Sequence, residues 1–148
     1  MSDSDLIDLY SGRILELAAD IPHSERLTDP DATARRRSPL CGSTVTVDIK
    51  TDGKTITDYG QDVKACALGQ AASSVVGRKI IGQTRETVEK ARDQLEAMLK
   101  NDGPAPDAPF DELKVLMPAR GFKNRHASIM LCLQAICDAF DDAATKST

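Results

Sequence analysis

From Thr44 to Ile49 apolar and polar side chains alternate, with Val45, Val47 and Ile49 on one face and Thr44, Thr46 and Asp48 on the other. A period of two is the pattern of a half-buried strand, here predicted from Ser43 to Thr51. Asp52-Gly53 follows, a dipeptide that tight hairpin turns favour because glycine accepts a positive φ. The return strand is predicted from Thr55 to Val63, anchored by Ile56 and Val63. Beyond Cys66 the period changes. Ala67 to Val76 is small and apolar and predicts a buried helix that Gly77 ends.

Helical periodicity marks three further segments. Leu6, Ile7, Tyr10, Ile14, Leu17 and Ala18 recur at helical spacing, predicting a helix from about Ser4 to Ala19 that Pro22 stops. Thr84 is placed to cap a long helix to about Lys100, with Val88, Ala91, Leu95, Met98 and Leu99 on its apolar face. The last helix is predicted to begin near His126 or Ser128, with Ile129, Leu133, Ile136, Cys137 and Phe140 in one stripe. Between these, His23 to Ala34 reads as a loop. Arg35-Arg36-Arg37 reads as a solvated edge strand or loop, or as a docking patch for an acidic partner. Asn101 to Pro109 is a proline-rich loop, and Phe110 to Leu116 a short helix stopped by Pro118. Strands followed by helices predict an α+β fold in one domain spanning residues 1–148: a small antiparallel sheet of about three strands, with helices packed on one face.

Charge and cysteine usage narrow the function classes. The net charge of −4 and the near absence of aromatic side chains argue against a nucleic-acid binder. The start, Met1-Ser2-Asp3-Ser4-Asp5, is acidic and polar where a secretory leader is basic and then apolar. No apolar run approaches a membrane span, so neither a membrane nor a nucleic acid is expected as a partner, and the expected compartment is a reducing cytoplasm. Four cysteines there are ligands, nucleophiles or core residues in preference to disulfides. No Walker or Rossmann glycine loop and no Ser-His-Asp arrangement is present, and two histidines leave few players for general acid–base work.

The candidate chemistry lies with two thiols. Cys41 stands in a Pro/Gly turn just before the first predicted strand, and Cys66 stands where the return strand gives way to a helix. Thiols at the two ends of a two-stranded unit can converge, and a helix N-terminus favours thiolate at Cys66. Thiolate is a soft ligand for zinc, copper(I) or iron–sulfur clusters, and also a nucleophile able to carry persulfide. His126 is the histidine that folding can bring to the two thiols, giving Cys41, Cys66 and His126 as the candidate metal set. Ser128 reads as a helix cap. Cys132, one turn further on, can share that face and replace a ligand but reads first as a core or helix-surface thiol, and Cys137 reads as core.

Pro39-Leu40-Cys41-Gly42, Cys66 with the Ala- and Ser-rich residues after it, and Pro118-Ala119-Arg120 leading to Arg125-His126-Ala127-Ser128 resemble the iron–sulfur cluster assembly scaffolds, the IscU, SufU and NifU N-terminal-domain proteins. The long segment between Cys66 and Ser128, including the Pro-rich loop, is more similar to SufU than to IscU. The resemblance implies three cysteines and an aspartate around one metal or cluster. It places the first cysteine at Cys41, the aspartate at Ser43, the second cysteine at Cys66 and the third at Ser128, so two of four ligand positions carry serine. The family's Leu-Pro-Pro-Val-Lys chaperone motif has no counterpart. A scaffold or sulfur carrier, rather than an enzyme, is implied. It would accept sulfur from a cysteine desulfurase, hold a transient iron–sulfur cluster at Cys41 and Cys66, and serve acceptor apoproteins. Two other readings stand beside it: a zinc-dependent, SufU-type sulfur-transfer protein, and a member that kept the fold and acts as a binding module without metal.

Overall fold

The computed structural model describes residues 10–146. The order of elements is α1 (Gly12–Ala19), β1 (Ala32–Arg37), β2 (Thr44–Thr51), β3 (Ile56–Lys64), α2 (Ala67–Lys79), α3 (Arg85–Lys100), a 3-10 segment (Asp111–Gly121) and α4 (Lys123–Lys146). The three strands form one antiparallel sheet in the order β1-β2-β3. The helices cover one face of it, giving the α+β arrangement that the sequence predicts.

The pleat decides what each face does. Ala32, Ile49 and Tyr59 form one cross-strand row, and Ala34, Val47 and Gln61 the next, all turned toward the helices. There they join Leu68, Ala72, Val75, Val76, Ile129, Leu133 and Ile136 in the core. The opposite face carries Thr33, Asp48 and Gly60 in one row, Arg35, Thr46 and Asp62 in the next, and Arg37, Thr44 and Lys64 in the row nearest the Cys41 turn. Asp48 departs from the simple polar-out expectation, for it is fully buried. The segment before β1 crosses this face as a strap. Arg26 Nε meets Asp48 Oδ2 at 2.6 Å, Leu27 N donates to the same oxygen at 3.0 Å, and Thr33 Oγ1 donates to Oδ1 at 2.5 Å. A Cβ at Gly60 would stand 2.4 Å from the Glu25 carbonyl oxygen, so glycine is what lets the strap lie flat.

Several predicted boundaries move, each for a local reason. Ser11 caps α1 by accepting from Ile14 N, and the predicted stretch from Ser4 to Leu9 lies outside the described residues. The edge strand begins at Ala32, inside the stretch read as loop, because Ala32 and Ala34 face the core while Arg35 and Arg37 face out. Gly77 does not end α2, which runs to Lys79. Its missing side chain makes room for Gln61 Nε2 and Pro22 Cγ, which a Cβ would meet at 2.8 and 3.1 Å. Pro118 sits within the 3-10 segment instead of stopping a helix before it. Finally, α4 starts at Lys123, which places Ser128 within the helix and not at its cap.

Candidate functional site

Ser38 to Ser43 is a tight connection between β1 and β2. Ser38 N donates to Ser43 O, and Gly42 N to Ser38 O, both at 2.8 Å. Gly42 takes φ +72°, a conformation that side-chain-bearing residues rarely adopt, and this turns Leu40 and Cys41 outward into solvent. Cys66 is the residue immediately before α2 and occupies its N-cap position. Ser128 comes from the second turn of α4, buried against Gly69 of α2. A Cβ at residue 69 would lie 2.5 Å from Ser128 Oγ, so only glycine admits the hydroxyl there.

These three segments bring four side chains into one line of contacts. Cys41 Sγ lies 3.1 Å from Ser43 Oγ, Ser128 Oγ donates to Ser43 Oγ at 3.3 Å, and Cys66 Sγ lies 3.4 Å from Ser128 Oγ. The two thiols singled out in the sequence therefore lie in one run of contacts, with two serine hydroxyls between them. The Cys41 thiol is lowered to about 7. The Ser38 hydroxyl is the largest influence, followed by the side chain and backbone of Ser43, with the Arg125 charge adding to them. Ser38 Oγ is buried with no partner of full hydrogen-bond geometry among the described residues, in a position to turn toward an ionised sulfur. Neither Ser38 nor Gly69 stood out in the sequence. Ser38 is three residues before Cys41 in a proline turn, and Gly69 is one small residue in a run of them.

The other predicted donors are held elsewhere. His126 is buried in the first turn of α4, and its Nε2 donates to the Ala119 carbonyl at 2.9 Å. Among the described residues, no three His, Cys, Asp or Glu side chains gather around one point. Cys132 is buried one turn beyond Ser128, within 3.6 Å of Tyr59 Oη and 3.7 Å of Gln61 Oε1, and burial pushes its thiol up to about 11. Gln61 ties this cluster to the Pro22 and Ser73 carbonyls. Cys137 is buried in the core, and burial raises its thiol also.

The donor chemistry of the site does not fit a resident metal ion. Zinc takes four ligands, or three and an open position, from thiolate, imidazole and carboxylate. The line from Cys41 to Cys66 offers two thiols and two hydroxyls. A hydroxyl is a poor ligand for a soft ion but a good hydrogen-bond donor to an anionic sulfur.

A family model for the NifU-like N terminal domain matches residues 9–113. A nitrogen-fixing NifU-like protein (N-terminal) from Brucella abortus has a crystal structure that superposes with a TM-score of 0.93, at 44% identity over 96% of this chain and 99% of that one. A putative iron–sulfur cluster assembly scaffold protein for the SUF system from Fervidobacterium islandicum shares the fold, with a TM-score of 0.81 at 19% identity over 90% of this chain and 98% of that one. The iron–sulfur cluster assembly scaffold protein IscU of Thermotoga maritima is 24% identical over 107 residues, 72% of this chain and 71% of that protein. With the family model spanning most of its length and the fold shared throughout, this chain belongs to the NifU-like N-terminal domain family.

Proposed function

We propose that this chain is a sulfur acceptor in iron–sulfur cluster assembly, taking sulfane sulfur from a cysteine desulfurase onto Cys41, with Cys66 as the second thiol. The observation that carries the reading is an exposed thiol lowered to about 7, in hydroxyl contact with Ser43 and through Ser128 with Cys66. Family membership supports iron–sulfur cluster assembly as the setting, and the expected compartment is the cytoplasm.

In the proposed step the Cys41 thiolate attacks the outer sulfur of a persulfide on the donor. The bond between the donor's two sulfurs breaks, the donor cysteine leaves as a thiolate, and Cys41 becomes a persulfide. Sulfane sulfur moves without net oxidation or reduction. Hydroxyls at Ser38 and Ser43 stabilise the attacking thiolate and, after transfer, the anionic outer sulfur. A nascent cluster is cargo here, anchored by the Cys41 and Cys66 thiolates and completed by donors from outside this set. Acceptor apoproteins would take it from there.

The test is metal and acid-labile sulfide content after anaerobic purification, with mass spectrometry of Cys41 after incubation with desulfurase and L-cysteine, on the wild type and on Cys41→Ser and Cys66→Ser. A persulfide mass on Cys41, lost in Cys41→Ser, is expected. Zinc at one ion per chain, lost in His126→Ala, would replace this reading with a zinc-held sulfur-transfer site. Neither metal nor persulfide would leave a binding module that keeps the fold alone.

A further inference from the structure

The exposed face of the sheet beside the Cys41 turn is positively charged in a chain whose net charge is −4. Arg36 is turned the other way and spent internally, its guanidinium paired with Asp138 of α4 at 2.5 Å. Arg35 and Arg37 are exposed on the outer face, and among the described residues neither forms an ion pair or a side-chain hydrogen bond. Across the strands, Arg37 stands in register with Thr44 and Lys64, and Arg35 with Thr46 and Asp62. Asp62 is the one carboxylate in these two rows, 3.9 Å from Lys64. The strap covers the next row, at Asp48 and Gly60, and leaves these two open. At the end of this face, Leu40 stands 77% exposed beside Cys41.

An exposed apolar tip at the reactive thiol, flanked by exposed arginines on a threonine floor, has the character of a contact surface. Arginine is the cation suited to it, because its planar fork meets carboxylates in a two-pronged contact. Like charges held side by side on a sheet repel one another and gain from a counter-charged cover. We infer that the outer face of the sheet, through Arg35, Arg37 and Lys64, docks a carboxylate-rich protein surface carried by the sulfur donor, which brings the donor's persulfide to Cys41. This rests on the reading of the chain as a sulfur acceptor and adds to it the face that the donor covers and the charge it presents.

The test measures the association rate of a purified cysteine desulfurase with three forms of the chain, from low to high ionic strength. These are the wild type, Arg35→Glu/Arg37→Glu, and a control of equal charge change on exposed residues elsewhere, Lys100→Glu/Lys114→Glu. Rim charges act mainly on association rate and its salt dependence. At low ionic strength the Arg35/Arg37 form is expected to associate about tenfold or more slowly than the wild type, within the range that steering provides. The gap should close as salt rises, and the control should stay within about twofold of the wild type. Equal rates for all three, equal slowing of the control, a deficit that salt leaves unchanged, or no binding by the wild type would each overturn the docking surface. Cysteine persulfide, a small donor that needs no docking, separates this from the acceptor reading. Failure to load Cys41 from it would count against the acceptor, while normal loading with charge-insensitive association would remove the docking face alone.

Discussion

At Cys41 two serines act on one sulfur in the same direction. Ser38 and Ser43 lower the thiol to about 7, so about half of it is ionised at neutral pH. Alkylation of Cys41 by iodoacetamide should therefore rise with pH through a midpoint near 7, and Ser38→Ala and Ser43→Ala should each move that midpoint up. A midpoint that neither substitution moves would remove the serines from the account. The same serines decide which donors the site offers. Placing a carboxylate and a thiol there, as Ser43→Asp/Ser128→Cys, gives four groups of ligand type. That variant should retain close to one zinc per chain after dialysis where the wild type retains none, as read by elemental analysis. The pair of thiols was legible in the sequence, because a turn cysteine and a helix-start cysteine bracket the hairpin. The hydroxyl line was not legible from spacing, since Ser43 and Ser128 are 85 positions apart and serine suits many roles. Only the resemblance aligned them with Cys41 and Cys66.

Among the elements, the strap over β2 has the most exposed physical logic. Burial opposes ionisation of Asp48, but Arg26, Thr33 and the Leu27 amide outweigh it and hold the carboxyl below its ordinary range. A carboxyl whose folded pKa is depressed stabilises the protein above its unfolded value, near 4, and loses that contribution as pH falls through the folded value. Arg26→Ala should cost about 1–3 kcal/mol at neutral pH, because it leaves a buried carboxylate short of its charged partner. The difference from the wild type should shrink below about pH 4, measured by urea denaturation across that range. A constant difference would mean that Arg26 acts by packing alone. The alternation of β2 was plain in the sequence, but the burial of Asp48 was not, because its cover comes from a loop that carries no periodic signal. The helices were legible where the apolar stripe is long, as in α3 between Thr84 and Lys100. Glycine and proline signal stops unevenly: α1 ends before Pro22, but neither Gly77 nor Pro118 ends its segment. Gly77 is a packing residue, and Pro118 is tolerated in a 3-10 segment.

For the whole molecule, the exposed Cys41 and the buried Cys132 report different things. Cys132 lies between α4 and the sheet, its sulfur near Tyr59 and Gln61, where no labelling reagent reaches without separating the two layers. Its labelling should follow global unfolding, tracking the denaturation curve seen by circular dichroism, while Cys41 reacts at once in native buffer. Labelling of Cys132 well below the unfolding midpoint would reveal a local opening of α4. Charge is also distributed by layer. Arg36 ties β1 to α4, while its two neighbours face away, so a basic run that reads as one unit in sequence divides between structure and surface.

The position of Ser128 carries a last consequence. The Cys41 turn and Cys66 are brought together by a hairpin and the helix after it, all within residues 38–79. Ser128 reaches them only when α4 docks on α2. As the ribosome extends the chain, both thiols emerge well before the hydroxyl that links them. Between those moments the cysteines lack the contact that joins them into one site. Docking of the last helix is thus both the closing of the core and the event that links the two thiols through Ser128, so a half-made chain has its thiols but not yet that link.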